Sequence, residues 1–174
     1  MIRSPHALKD RPFFVIRQVL SMRVFKWYNC INQLLEDAMP AIFPSEEWLK
    51  NLEAKLNADE RYRDIAQKWE GDLFFFIEPD GNLKERLTFY LDLWHGACRG
   101  VEYNPGLESH PNPTFTLTAT YKNITAILTG ALNPMTAMMT SKLKVNGSLG
   151  YMMRNVPTVL DFVRVAQSVT TEIL

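Results

Sequence analysis

Apolar side chains recur at Ile16, Val19, Leu20, Val24, Trp27, Tyr28, Ile31, Leu34 and Leu35 within residues 13–39, a stretch with neither Pro nor Gly. That spacing lays one stripe along a helix, and Pro40 and Pro44 stop it. Ser45 can cap a second helix, with Glu46 and Glu47 complementing the positive helix end and Trp48, Leu49, Leu52 and Leu56 as its apolar face. Asn57 is expected to cap a third, whose Tyr62, Ile65, Ala66 and Trp69 fall at i, i+3, i+4 and i+7.

From Gly71 the period shortens. Leu73-Phe74-Phe75-Phe76-Ile77 is a short aromatic run closed by the turn sequence Pro79-Asp80-Gly81. The returning strand sets Leu87, Phe89, Leu91 and Leu93 on one face and Thr88, Tyr90, Asp92 and Trp94 on the other. Further strands are expected over residues 97–103 and 114–120, separated by a polar, Pro-rich loop. Helical spacing returns through Ile124, Ile127 and Leu128 and ends at Gly130, and Pro134 opens a short helix. Leu143 and Val145 mark a last strand, and helices follow over residues 149–154 and 159–168, separated by Pro157. This order predicts an α+β fold, a mainly antiparallel five-stranded sheet with helices packed on one face.

Composition narrows the function classes. The 174 residues balance 19 basic against 19 acidic side chains, so no whole-molecule field favours nucleic acid or an anionic surface. The two cysteines, Cys30 and Cys98, suit free thiols of a reducing compartment better than a disulfide framework. Lys9, Asp10, Arg11, Arg17 and Arg23 break every candidate signal or membrane-spanning run, so the cytoplasm is the expected location. Without export, the sequons at Asn123 and Asn146 carry no meaning, and Ser141-Lys142-Leu143 is a peroxisomal address only at a C-terminus.

Catalytic and metal signatures do not assemble. His6, His95 and His110 are scattered, and no His-x-x-x-His or Cys-x-x-Cys spacing supports a metal. Asp92, His95 and Cys98 are near one another in sequence, but an extended strand sends Asp92 and His95 to opposite faces. The dispersed glycines form no phosphate loop, so no nucleotide cofactor is expected. The aromatic run Leu73–Ile77 lacks the interleaved Lys and Arg of a nucleic-acid platform. The chain reads as a non-enzyme with no cofactor, no metal and no nucleic-acid partner.

The remaining signal is apolar and adaptable. Met135, Met138, Met139, Met152 and Met153 crowd the last part of the chain with Leu132, Leu143, Leu149, Val159, Phe162 and Val163. Methionine suits surfaces that accommodate variable apolar partners, and it equally fills gaps in a solid core. Both readings stand on composition alone.

The segment Ser141-Lys142-Leu143-Lys144-Val145-Asn146-Gly147-Ser148-Leu149-Gly150-Tyr151-Met152-Met153-Arg154 resembles the closing signature of the sterol carrier protein-2 family: strand, Gly turn, apolar helix. The likeness extends through Trp69-Glu70-Gly71-Asp72, Leu91-Asp92-Leu93-Trp94-His95-Gly96, and Tyr121 to Gly130 ahead of the Pro134 helix, covering residues 45–172. The resemblance implies a lipid-binding domain over residues 45–174, with residues 1–44 as a helical extension outside it. It implies an apolar tunnel for a sterol, fatty acid or fatty acyl-CoA and transfer without covalent chemistry. Carried over by position, Phe75, Leu87, Phe89, Leu91, Phe115 and Leu117 would face that tunnel from the sheet. Met135, Met138, Met139, Leu149, Met152, Met153, Phe162 and Val163 would form its helical wall. Ser148-Leu149 departs from the Asn-Met turn of better-known members. A second reading keeps the fold and makes the protein an accessory that presents a hydrophobic substrate to an enzyme of lipid or quinone metabolism.

Up to Leu35 the extension carries Arg3, Lys9, Arg11, Arg17, Arg23 and Lys26 against Asp10 alone, with Phe13, Phe14, Phe25 and Trp27 on the helix. Three roles fit residues 13–39: transient contact with an anionic membrane, packing on the domain or on a second copy as a dimer, or a lid over the tunnel.

Overall fold

The computed structural model describes residues 41–174; the extension, with the helix expected over residues 13–39, lies outside the described residues. Ser45 starts α1 (Glu46–Ala58) as expected, its hydroxyl accepting the Trp48 N–H at 3.1 Å. Trp48, Leu49, Leu52 and Leu56 form the buried face. The next cap is not Asn57. Asp59 caps α2 (Glu60–Ile65), its carboxylate accepting the Tyr62 N–H at 2.9 Å. Asn57 instead brackets the Cys98 peptide, donating to its carbonyl and accepting its N–H, each at 2.9 Å. Both residue types cap helices well, and this tertiary pairing decides between them. α2 also ends before Trp69, whose indole donates to the Gly71 carbonyl at 2.8 Å.

Five strands form where alternation predicts them: β2 (Leu73–Glu78), β3 (Leu87–Trp94), β4 (Ala97–Tyr103), β5 (Phe115–Thr120) and β6 (Leu143–Asn146). Their spatial order is β4-β3-β2-β5-β6, antiparallel throughout except for the parallel β2–β5 pair at the centre. That parallel pair follows from the polar loop after β4. It carries the chain across the sheet's outer face, where Thr88 donates to the Pro105 carbonyl at 2.7 Å and His110 stacks on Tyr90 with ring centroids 3.5 Å apart.

The helices cover the other face. Thr120 caps α3 (Tyr121–Leu128), and Asn133 caps α4 (Pro134–Met139) through the Met135 and Thr136 N–H groups. Ser148 caps α5 (Leu149–Arg154), which Asn155 separates from α6 (Val156–Val169). The last helix starts ahead of the expected Val159, because Pro157 sits in its first turn, where its missing N–H costs nothing. A short parallel pair was not anticipated: β1 (Ile42–Phe43) lies beside β7 (Glu172–Ile173). Residues 41–44 therefore join the packed unit rather than the extension, and Ala41 and Phe43 are buried in its core.

An ionic clasp fastens α2 to α6. Asp161, only 3% exposed, receives Arg61 at 2.9 Å and Arg164 at 2.8 Å. Arg164 also reaches the half-buried Asp59 at 2.8 Å, so both carboxylates have a cation.

Candidate functional site

Strand register places one side chain from each neighbouring strand in the same row. Phe75 pairs with Phe89 on one side and Leu117 on the other, and Leu73 lies beside Leu91. Paired residues share a face, so these rows form an apolar floor extended by Ile77, Leu93 and Leu143. Above it stand Phe43, Trp48 and Leu52, then Tyr62 and Trp69, then Ile124, Ile127, Leu128, Pro134, Met138 and Met152. One stripe of α6 completes the wall with Thr158, Val159, Phe162, Val163 and Ala166. Between floor and wall lies an apolar cavity of about 880 Å³, its open mouth included.

Three polar groups of this lining are bonded within the protein. Trp48 donates its indole N–H to the Thr170 hydroxyl at 2.9 Å, and the Thr158 hydroxyl donates to the Ile65 carbonyl at 3.3 Å. Trp69 is already committed to Gly71. Tyr62 supplies the remaining hydroxyl, and burial, with Cys98 and Asp161 nearby, pushes its pKa well above the ordinary phenol value. Among the described residues, the lining has no carboxylate, imidazole, amine or thiol side chain. Such a lining favours hydrocarbon over water.

Of the side chains assigned to the site by resemblance, Phe75, Phe89, Leu91, Leu117, Met138, Met152, Phe162 and Val163 line this cavity. The other six lie off its wall. Phe115 is on the same sheet face but packs behind Trp69 and against Tyr151, with ring centroids 5.5 and 5.7 Å away. Leu87 and Met135 are half-buried and pack on the core around the cavity. Met139, Leu149 and Met153 point to solvent, Met139 being 77% exposed. The reason is local: α4 and α5 are six residues each, and consecutive side chains on a helix point about 100° apart, so Met138 and Met152 turn inward while Met139 and Met153 turn outward.

Sequence reasoning treated Trp48, Leu52, Tyr62 and Trp69 as helix core, whereas all four line the cavity. Their stripes were visible; the hollow beneath them was not.

Asp92, His95 and Cys98 do not converge. Asp92 accepts Arg99 at 2.7 Å and His95 meets Glu70 at 2.8 Å. Cys98 is buried, and that burial pushes its thiol up to about 12. Among the described residues no cluster of His, Cys, Asp and Glu could hold a metal ion, and no helix is long and apolar enough to cross a membrane.

The SCP-2 sterol transfer family profile matches residues 49–159, which contain the floor strands β2, β3 and β5 and most of the helical wall. The chain belongs to the SCP-2 sterol transfer family. The crystal structure of a sterol carrier protein 2 is similar at 31% identity with a TM-score of 0.64, covering 71% of this chain and 95% of that one. A conserved hypothetical protein of Thermus thermophilus, described as possibly a sterol carrier protein, is similar at 30% identity with a TM-score of 0.65, covering 75% of this chain and 91% of its own. No curated protein matches the chain. Family membership supports lipid binding or transfer as the general activity of this SCP-2 domain.

Proposed function

We propose that this SCP-2 domain carries a single long-chain lipid with its hydrocarbon inside the cavity and its polar group at the mouth, and performs no covalent chemistry. The observation that carries the reading is the chemistry of the lining. It is apolar on every side, and its indole N–H groups and the Thr158 hydroxyl are already bonded within the protein. A charged or strongly polar group placed there would lose its hydration without replacement, whereas each buried methylene gains about 0.8 kcal/mol. A fatty acid, a fatty acyl-CoA with its nucleotide outside, or a sterol would satisfy these terms. The cytoplasm is the proposed compartment.

The test is titration of the full chain with a fluorescent long-chain fatty acid, followed by displacement with unlabelled fatty acid, acyl-CoA and sterol. Saturable one-to-one binding that apolar competitors reverse is the expected outcome. Met139→Asp should leave it intact, because Met139 stands outside the cavity. Failure to bind any of the three classes overturns the proposal.

A further inference from the structure

We propose that the outer side of α4 and α5, with the start of α6, is a docking surface for an anionic lipid bilayer. This rests on the carrier reading only for its purpose, loading and unloading at a membrane.

Among the described residues, the exposed large apolar side chains include Met139, Leu149, Met153 and Leu160, gathered in one run of the chain. Leu149 and Met153 are four apart on α5 and therefore share a side. Met138, Met152 and Val159, the immediate neighbours of Met139, Met153 and Leu160, line the cavity. The same helices thus turn one apolar side to the cavity and a second to solvent. α4 packs on β6 and α6, and α5 packs on α6.

The charge carried by this run of the chain has one sign, and Tyr151 of α5 also meets the backbone of Lys68 and of Glu70, whose carboxylate is paired with His95. From Ser109 to Leu160 the sequence contains no Asp or Glu, while Lys122, Lys142, Lys144 and Arg154 fall within it. The Arg154 guanidinium lies back over Gly150, 3.7 Å from where a β-carbon there would sit, on the helix that exposes Leu149 and Met153. Lys142 follows Met139 closely, and the Asn123 amide donates to its carbonyl at 3.1 Å, bringing the Lys122 end of α3 alongside. Lys144 alternates with Leu143 and Val145 and belongs to the other sheet face. Among the described residues none of Lys122, Lys142 and Arg154 enters an ion pair. Exposed Met and Leu beside basic groups that pair with no carboxylate among the described residues match a bilayer interface, where apolar side chains insert below anionic head groups. The chain as a whole is balanced at 19 against 19, so attraction to such a surface must be local.

The experiment is flotation of the full chain with vesicles of phosphatidylcholine alone or equimolar with phosphatidylglycerol. Binding to the mixed vesicles and not to phosphatidylcholine alone is expected. Neutralising one basic side chain at such a surface costs roughly fivefold, so K142Q/R154Q should weaken binding on the order of 25-fold. M139S/M153S should weaken it at least about tenfold by removing the inserting side chains. The same charge change elsewhere, K50Q/R86Q, should stay within about twofold because distant charges are screened. The proposal is overturned by equal binding to both vesicles, by equal loss in all three variants, or by wild-type binding in the two surface variants. That last result would place the contact elsewhere, residues 13–39 included. Fatty-acid titration of K142Q/R154Q separates the two proposals: unchanged affinity is expected, and absence of fatty-acid binding in the wild type would sink the carrier reading without touching the docking result.

Discussion

Ala166→Leu is the perturbation that most sharply separates a cavity from a solid core. Ala166 is 3% exposed and lies on the α6 stripe with Val159, Phe162 and Val163, all of which line the cavity. Leucine adds three carbons at this position. If they enter empty apolar space, at about 0.8 kcal/mol per carbon they gain up to ~2.4 kcal/mol, less roughly 0.5–1 kcal/mol for fixing the side chain. The ligand-free protein should therefore become more stable by ~1–2 kcal/mol in urea unfolding. The same atoms displace about as much hydrocarbon from the ligand, so fatty-acid affinity should fall by a factor on the order of 50. In a filled core the signs reverse: overpacking costs ~1–3 kcal/mol and binding, being elsewhere, does not change. A destabilised variant with wild-type affinity would refute the reasoning.

Trp48 and Trp69 line the cavity while Trp94 is exposed, so a brominated fatty acid should quench the two buried indoles and leave Trp94 emitting; uniform quenching of all would contradict the placement. The Tyr62 backbone N–H and the Arg164 guanidinium hold the Asp59 carboxyl below the usual carboxylate range, so its stabilisation is present above the unfolded value of about 3.9 and lost as pH falls through the lower folded one. The stability gap between wild type and Asp59→Asn should accordingly shrink below about pH 4, and a constant gap in acid unfolding curves would refute that role. Burial holds the Cys98 thiol at about 12, so peptide-mapped alkylation at pH 8 should leave Cys98 largely unmodified in the folded protein and label it after denaturation.

The sheet was legible because period-two alternation is a direct record of two faces, and β2 to β6 fall where Phe75, Phe89 and Leu117 recur. The long helix stripe of α1 was equally plain. Legibility failed where an element is too short to have a period. β1 and β7 are two residues each, and nothing in Ile42-Phe43 or Glu172-Ile173 announces their pairing. α4 and α5 are six residues each, too few to show which methionine faces inward, so Met139 and Met153 were grouped with Met138 and Met152. Asn57 against Asp59 was undecidable locally, because the deciding partner, the Cys98 peptide, lies across the fold. The cavity had no signature in composition or spacing, and only the family resemblance implied one: Trp48 and Trp69 have the same composition whether they meet a neighbour or a hollow.

The central claim, that the apolar cavity holds one lipid, is tested most directly by native mass spectrometry of the full chain as purified from cells, with organic extraction of what accompanies it. The account expects a one-to-one adduct that extraction resolves into molecules with a long hydrocarbon portion, and a return to the bare mass after delipidation. A protein at its bare mass throughout, which also takes up no added fatty acid, acyl-CoA or sterol, would contradict it.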